Sequence, residues 1–558
     1  VARIATSIKP KGLTVDEIAA LEHIYYGPSW RKTEDGKWDL PEHTLGWQIL
    51  GWCAEFLNNF DGTPNLRLTA EQARILLWWY AVDLRGRFIY RQGVIQRLKG
   101  HGKDPLLAVI SLIEFVGPSR FAGWDKNGKP VGERHPNAWV QIAAVNQAQT
   151  RNTMTLMPSL MSQKLIDAHG IKDGAELIRA HNGKVRLEAV TSSFRALEGG
   201  RSTFVMLNET QHWVQGNNGL LMHKTVARNA AKTGSRFLAV TNAYLPGEDS
   251  VAERMREGFE KIRDGRMKDP GLMYDSIEAN PLTPLTEEAL RIVVPIIRGD
   301  SSWLKVEDVI ASVLDPTQSA SDSRRMWLNQ IVADEDAIYG PEHWKPLEVE
   351  GAVLSPGDEI VLGFDGGKSD DATVLVALRV KDRVAFILCL EERPANWPTG
   401  EGAPRWEVNR ETVDSAVHSA FNLYKVRGFY ADVALWESYI DDWAEAYRES
   451  LVVKASERHA VAWDMRQSIQ RLTRAHERLM QAIFDRKVFH DGDPDLRRHV
   501  LNARRRINNY GVSFGKESRE SPKKVDAYAA LMLAHEALHD LRTRGKPTKE
   551  RTGRGYFL

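Results

Sequence analysis

Apolar and polar positions along this chain change period several times, and each change predicts a different kind of element. Residues 1 to about 60 read as largely helical, with a turn-rich patch around 26–41. From about 65 to 245, helical periods alternate with short apolar runs, the pattern of a parallel α/β sheet. The strand-like runs are 138–144, 204–207 and 236–240. Residues 250–340 read as a mainly helical subdomain, broken at Pro270, Pro281, Pro284 and Pro316. A linker over 341–358 follows.

The second half opens with consecutive strands predicted at 359–365, 372–380 and 383–390, then a helix near 410–424 and a strand at 428–432. A last helix, rich in Ala, Leu and Met, is predicted over 524–541, and a basic tail closes the chain at 542–558. The pattern over 450–520 places its elements only loosely. A β-β-β-α-β start with acids at the ends of its first and fourth strands reads as a ribonuclease-H-like fold. The expected organisation is a helical segment over 1–60, a first domain over 61–340 and a second over 359–541.

Composition narrows the class of protein. A chain of 558 residues exceeds one core, so two or three domains are expected. Mean hydropathy of −0.39 is that of an ordinary soluble protein, and no run of 18 apolar residues predicts a membrane span. The first residues lack the apolar centre of a signal peptide. Two cysteines, Cys53 and Cys389, lie far apart in sequence, which argues against a disulfide or a thiolate zinc site and fits a reducing cytoplasm. A formal charge of +1 argues against passive coating of nucleic acid, although basic segments recur at 497–498, at 504–506 and in the tail.

Candidate chemistry falls in two places. Lys99-Gly100-His101-Gly102-Lys103-Asp104 precedes an apolar helical run, as a loop that cradles phosphates with backbone N–H groups should. Lys103 is the expected contact to the β- and γ-phosphates of ATP. The residue after it is Asp104, where Ser or Thr is usual. Residues 203–209 form an apolar strand ending in Asn208-Glu209, with Asn208 where an aspartate normally faces Mg²⁺ and Glu209 placed to polarise water. A carboxylate gained at 104 and one lost at 208 suggest that Asp104 supplies the charge Asn208 cannot. Gln72 is a candidate adenine reader, and Thr241-Asn242 a candidate γ-phosphate sensor. Arg91, Arg97 and Lys99 are candidate finger-like charges in cis, with Arg228 and Arg236 candidates in trans.

In the second half, Asp365 and Asp432 end strands and Asp526 begins the last helix. Three carboxylates from separate elements could hold two Mg²⁺ or Mn²⁺ ions for phosphodiester cleavage. Asp371 is the expected fourth ligand, with Asp370 as the alternative. Lys523 or Lys524 is a candidate contact to the scissile phosphate.

KGHGKDPLLA, FVMLNETQHW, FLAVTNAYLPGEDS, VLGFDGGKSDDATVLV, FYADVALWESYIDDW and KKVDAYAALMLAHEA occur in that order. The set resembles the large subunit of tailed-phage terminases over roughly 65–540. The resemblance implies a P-loop NTPase domain that packages DNA, followed by a ribonuclease-H-like endonuclease. It also implies double-stranded DNA, the capsid portal protein and a small terminase subunit as partners. Subunits would form a ring on the portal, be monomeric in isolation, and work in the host cytoplasm during virion assembly. Two rival readings are an ATPase–nuclease of DNA repair or mobile elements and a non-catalytic DNA-binding scaffold. The first lacks a second ATPase lobe after Asn242; the second is disfavoured by the intact Lys103, Glu209, Asp365, Asp432 and Asp526.

Overall fold

The computed structural model describes residues 13–191, 200–333, 336–367, 372–394, 397, 406–516 and 523–544. The chain forms two compact units, which divide between residues 334 and 335, with residues 246–248 grouped with the second.

The first unit is built on an eight-stranded sheet. Its strands are β1 (Ile24–Tyr26), β2 (Gln92–Gln96), β5 (Trp139–Ala143), β6 (Leu177–Ala180), β7 (Val185–Val190), β8 (Phe204–Asn208), β9 (Arg236–Thr241) and β10 (Leu272–Glu278). Strands β3 (Arg120–Trp124) and β4 (Pro130–Glu133) form a separate hairpin. The sheet order is β1-β10-β2-β9-β8-β5-β7-β6, and all pairs are parallel except the outermost pair at each edge. Every residue of β8 and β9 is buried, as expected of strands covered on both faces. Helix Lys103–Val116 is apolar nearly all round because it lies between β5, β7 and β8 on one side and helices Gly46–Phe56 and Gln147–Met154 on the other.

Two expectations are corrected here. The N-terminal segment is not simply helical, since Ile24–Tyr26 adds a strand to the sheet edge beside helices Val15–Ala19 and Gly46–Phe56. The stretch read as helical after 250 contains β10, paired between β1 and β2. Asp275 and Ser276 interrupt its apolar run, and both are fully buried because partners inside the fold satisfy them. Strand periodicity is lost wherever a buried polar residue replaces an apolar one.

The second unit holds a five-stranded sheet of β11 (Glu359–Asp365), β12 (Thr373–Arg379), β13 (Val384–Glu391), β14 (Lys425–Ala431) and β15 (Phe489–His490), in the order β14-β11-β12-β13-β15. The first three strands are antiparallel neighbours and β14 returns parallel to β11. Parallel bridges from Gly428 to Val453 and from Ala431 to Ala462 extend the sheet beyond β14. This is the ribonuclease-H-like order expected above. Helices Ile469–Phe484 and Pro494–Leu501 and the hairpin of β16 (Arg504–Asn508) and β17 (Gly511–Gly515) fill the region the pattern left loose.

Helix Asp526–Arg544 lies across β11 at very close range. A Cβ on Gly363 would stand 1.9 Å from the Ala530 carbonyl oxygen and 2.4 Å from the Ala534 nitrogen. Alanines at 530, 534 and 537 form the stripe that permits this approach. Toward its C-terminus the helix passes Gly428, the register partner of Val361, and Arg542 donates to the carbonyl of Val380. The helix therefore runs antiparallel to β11, and its first residue, Asp526, lies toward the strand end that carries Asp365.

Adding one methyl at Gly363 must push the helix off the sheet. Gly363→Ala is expected to destabilise the protein by about 2 kcal/mol or more, read as a lowered midpoint in thermal unfolding. An unchanged midpoint would mean that the helix does not seat on this strand.

Candidate functional site

Strand β2 leads directly into the loop 97–103, and the loop opens into helix Lys103–Val116. Gly100 and Gly102 adopt left-handed φ values of 79° and 93°, which a side chain rarely takes. A Cβ on Gly102 would also meet the Trp303 ring at 2.9 Å. Segment 301–304 braces the loop from outside: Ser301 Oγ donates to the His101 carbonyl (2.8 Å) and Trp303 Nε1 to that of Gly100 (3.0 Å).

Beneath the loop, Arg97 has no exposed side-chain surface and pairs with Glu71 (2.8 Å) and Asp275 (2.5 Å). Glu71 also meets His101 Nε2 at 3.1 Å, and its backbone N–H donates to Asp300 at 2.7 Å. Burial alone would raise the Glu71 carboxyl, but Arg97 and His101 hold it well below the usual range. Arg97 is thus a structural cation committed to two buried acids, which removes it from the finger candidates. Arg236 is removed as well: it is buried at the start of β9, at the opposite edge of the sheet, and pairs with Glu114 at 3.0 Å.

The sheet order places β9 between β2 and β8, so three strand ends meet at one edge. Lys103 Nζ donates to the carbonyls of Leu98 (2.8 Å) and Arg97 (3.2 Å) and to Asn242 Oδ1 at the end of β9. Burial pushes its ammonium down to about 8, against the opposing pull of Asp104 and Glu209. Asn208 Nδ2 donates to Asp104 Oδ1 at 3.1 Å, so the two departures noted in the sequence are hydrogen-bonded to one another. Glu209 takes a left-handed φ of 52° and accepts from Gln149 Nε2 at 2.6 Å. Gln211 Oε1 accepts from the Thr241 hydroxyl (2.7 Å) and from the Asn242 N–H (3.3 Å).

Other sequence candidates stand further out. Gln72 is the third residue of helix Ala70–Trp79, and its side chain caps the helix by accepting from the Thr69 N–H at 3.0 Å. Its neighbour Glu71 is the residue that reaches the loop. Lys99 is exposed, 5.9 Å from the centroid of the Trp327 ring. Arg228 is exposed on helix Gly219–Thr233. Nothing in the sequence marks Gln149 and Gln211 as site residues. Both follow strand ends, at spacings no short motif marks.

In the second unit, Asp365 and Asp432 sit at neighbouring strand ends, and the Asp432 N–H donates to the Phe364 carbonyl at 2.9 Å. Thr373 and Trp436 both hydrogen-bond Gly367 and hold the turn after Asp365. Asp432 and Asp526 are buried, and Asp365 is half-buried. Burial raises the Asp432 carboxyl, and so does the negative charge of Asp464, a residue the sequence reading missed. Asp464 follows the bridge to Ala462, so the same sheet edge presents it. Among the described residues, no three His, Cys, Asp or Glu side chains are grouped closely enough to hold a metal ion. The expected convergence is thus one of strand and helix ends and not a closed ligand set. Asp370 and Asp371 lie outside the described residues. The donor chemistry, carboxylate oxygens at strand and helix ends and largely withdrawn from water, fits a hard divalent cation.

No family model matches the chain. It is 41% identical to the Gene 13 protein of Mycobacterium phage L5 over 578 aligned residues, covering 94% of this chain and 96% of that protein. It is likewise 41% identical to the Gene 13 protein of Mycobacterium phage D29, covering 96% of this chain and 98% of that one. Among solved structures it is similar to the HK97 bacteriophage large terminase, with a TM-score of 0.48 and 15% identity, covering 88% of this chain and all of that one.

With burial lowering the Lys103 ammonium to about 8, phosphate binding at this residue is expected to be strongest below that pH. ATP affinity is expected to hold steady from pH 6.5 to 7.5 and to fall toward about tenfold per unit above 8. Lys103→Arg keeps its charge and should abolish that slope. Equal slopes for both proteins by equilibrium binding would show that Lys103 is not the titrating contact.

Proposed function

This chain belongs to the family of the mycobacteriophage Gene 13 proteins, and we propose that it is a large terminase subunit that hydrolyses ATP to drive double-stranded DNA into a procapsid and cuts concatemeric DNA. The observation that carries this reading is the gathering of Lys103, Asp104, Asn208, Glu209 and Asn242 at one sheet edge of the first unit. The acids at adjacent strand ends of the second unit accompany it. Its partners on this reading are DNA, the portal protein and a small terminase subunit, with copies of the chain forming a ring on the portal in the host cytoplasm.

At the ATP site, the loop N–H groups and the start of helix Lys103–Val116 face the phosphates, and Lys103 exchanges its carbonyl and Asn242 contacts for phosphate oxygens. Glu209, released by Gln149, accepts a proton from the attacking water. Asn242, released by Lys103 at the end of β9, is then free to read the γ-phosphate. Asp104, oriented by the Asn208 amide, is the carboxylate that would hold Mg²⁺, which neutralises charge on the β- and γ-oxygens when bound. At the second site, Asp365, Asp432 and Asp526, with Asp464 at the same sheet edge, would hold two Mg²⁺ or Mn²⁺ ions, which supply Lewis acidity for phosphodiester hydrolysis; Asp371 is the further ligand proposed from the sequence. A divalent cation held there would offset the negative charge of Asp464 that, with burial, raises the Asp432 carboxyl.

The two activities should separate by substitution. Glu209→Gln is expected to cut ATP hydrolysis by at least ~100-fold while leaving Mn²⁺-dependent plasmid cleavage intact. Asp365→Ala should do the reverse. Loss of both activities in either variant, with the fold retained, would count against two independent sites.

Asp104→Ser tests the exchange of charge with Asn208. Hydrolysis and Mg²⁺ affinity should each fall by about tenfold. Unchanged values would refute it.

A further inference from the structure

The edge of the first sheet opposite the phosphate loop carries a cavity of about 620 Å³. It opens where five consecutive strands begin, next to Phe88 before β2, Arg236 of β9, Thr203 before β8, Trp139 of β5 and Lys184 before β7. At about 3.3 Å per residue, the five or six residues of each strand separate it from the ATP site by roughly 17 Å.

Its lining is cationic. Arg120, Lys184, Arg186, Arg201 and Arg236 face it, together with His135, and no carboxylate of the described residues lines it. Among the described residues the one acid paired to this group is the buried Glu114 behind the wall, which serves Arg120 (2.6 Å) and Arg236 (3.0 Å) together. No ion pair joins Lys184, Arg186 or Arg201 to an acid among the described residues. Arg236 is more than nine-tenths buried, and its Nε–H has no partner among those residues. Arg186 stacks on the Trp139 ring at 3.7 Å, which fixes its guanidinium at the rim. Directly across the β6–β7 pair Arg186 faces Arg179, a like-charge pairing that costs stability in a sheet. Burial and Arg120 also depress the His135 imidazole, consistent with an excess of positive charge.

We propose that this cavity is a second anion site, built for a ligand bearing more than one phosphate group. Five cations sharing one carboxylate match a multiply charged anion better than a single carboxylate. Guanidinium forks pair with phosphate oxygens in bidentate fashion. The side chains of Ser202 and Thr233 and the amide of Asn137 add polar contacts at the same wall. Free polyphosphate and the successive phosphates of a nucleic-acid backbone share this chemistry. The inference needs no assumption about DNA packaging.

The test uses full-length protein carrying Lys103→Ala, which silences the phosphate loop. Calorimetric titration with inorganic pyrophosphate, and separately with a short DNA duplex, is repeated after adding Lys184→Gln and Arg186→Gln, whose side chains reach solvent. Pyrophosphate binding that weakens at least about tenfold in the added variant supports the site with a free anion as its ligand. Duplex binding whose salt dependence drops by about two units, without pyrophosphate binding, supports it with the nucleic-acid backbone as ligand. Affinities for both probes that do not respond to the added substitutions overturn the proposal. Should Lys103→Ala fail to fold, the same titrations on wild-type protein saturated with a non-hydrolysable ATP analogue give the same discrimination.

Discussion

Arg97 carries a permanent charge into a place with no solvent, and much of the first unit is organised around neutralising it. Glu71 arrives from a helix and Asp275 from β10, so the ion group joins three chain segments that are remote in sequence. Removing one partner of such a buried pair typically costs about 3–5 kcal/mol, because the survivor keeps its desolvation penalty. Glu71 passes this rigidity to the loop by also holding His101 and the backbone of Asp300. The loop glycines, poor at defining their own shape, are therefore held from below by charge and from outside by Ser301 and Trp303.

That support matters because a phosphate cradle works only when its N–H groups are aligned before the anion arrives. Lys103 occupies the cradle itself, hydrogen-bonded to two carbonyls of its own loop and to Asn242. Burial lowers the proton affinity of its ammonium there, against the opposing pull of Asp104 and Glu209. The strand order makes the contact with Asn242 possible, since β9 lies between the strand that feeds the loop and the strand that ends in Glu209. One end of the sheet thereby gathers the groups of the proposed nucleotide site, while the opposite end gathers arginines whose charge is only partly met among the described residues.

The second unit solves a different problem, that of bringing acids together against their mutual repulsion. Parallel pairing of β11 and β14 puts Asp365 and Asp432 at adjacent ends, and the antiparallel run of the last helix brings Asp526 toward the same end. Gly363 and the alanine stripe set how closely that helix can approach. Burial and the neighbouring Asp464 raise the Asp432 carboxyl, against the opposing pull of the Met465 N–H and Arg466.

Much of this was legible in the sequence. The long apolar runs of β8, β9, β11 and β12 mark themselves as strands because both faces of each are covered. The loop glycines and the strand-end acids are recognisable because their chemistry is compressed into a few adjacent residues. The departures at 104 and 208 stand out in the sequence, and the tertiary structure hydrogen-bonds them to one another. Other features only the tertiary structure decided. Glu71, and not Gln72, reaches the loop, because helix capping consumes the glutamine. Arg97 and Arg236 prove to be buried structural cations, and β10 is a strand despite its central Asp and Ser. Asp464 joins the acid edge through a single parallel bridge. In each case the deciding interaction is a pairing of polar groups far apart in the chain. Hydrophobic period reports local burial, but it carries no record of which buried charge will meet which partner.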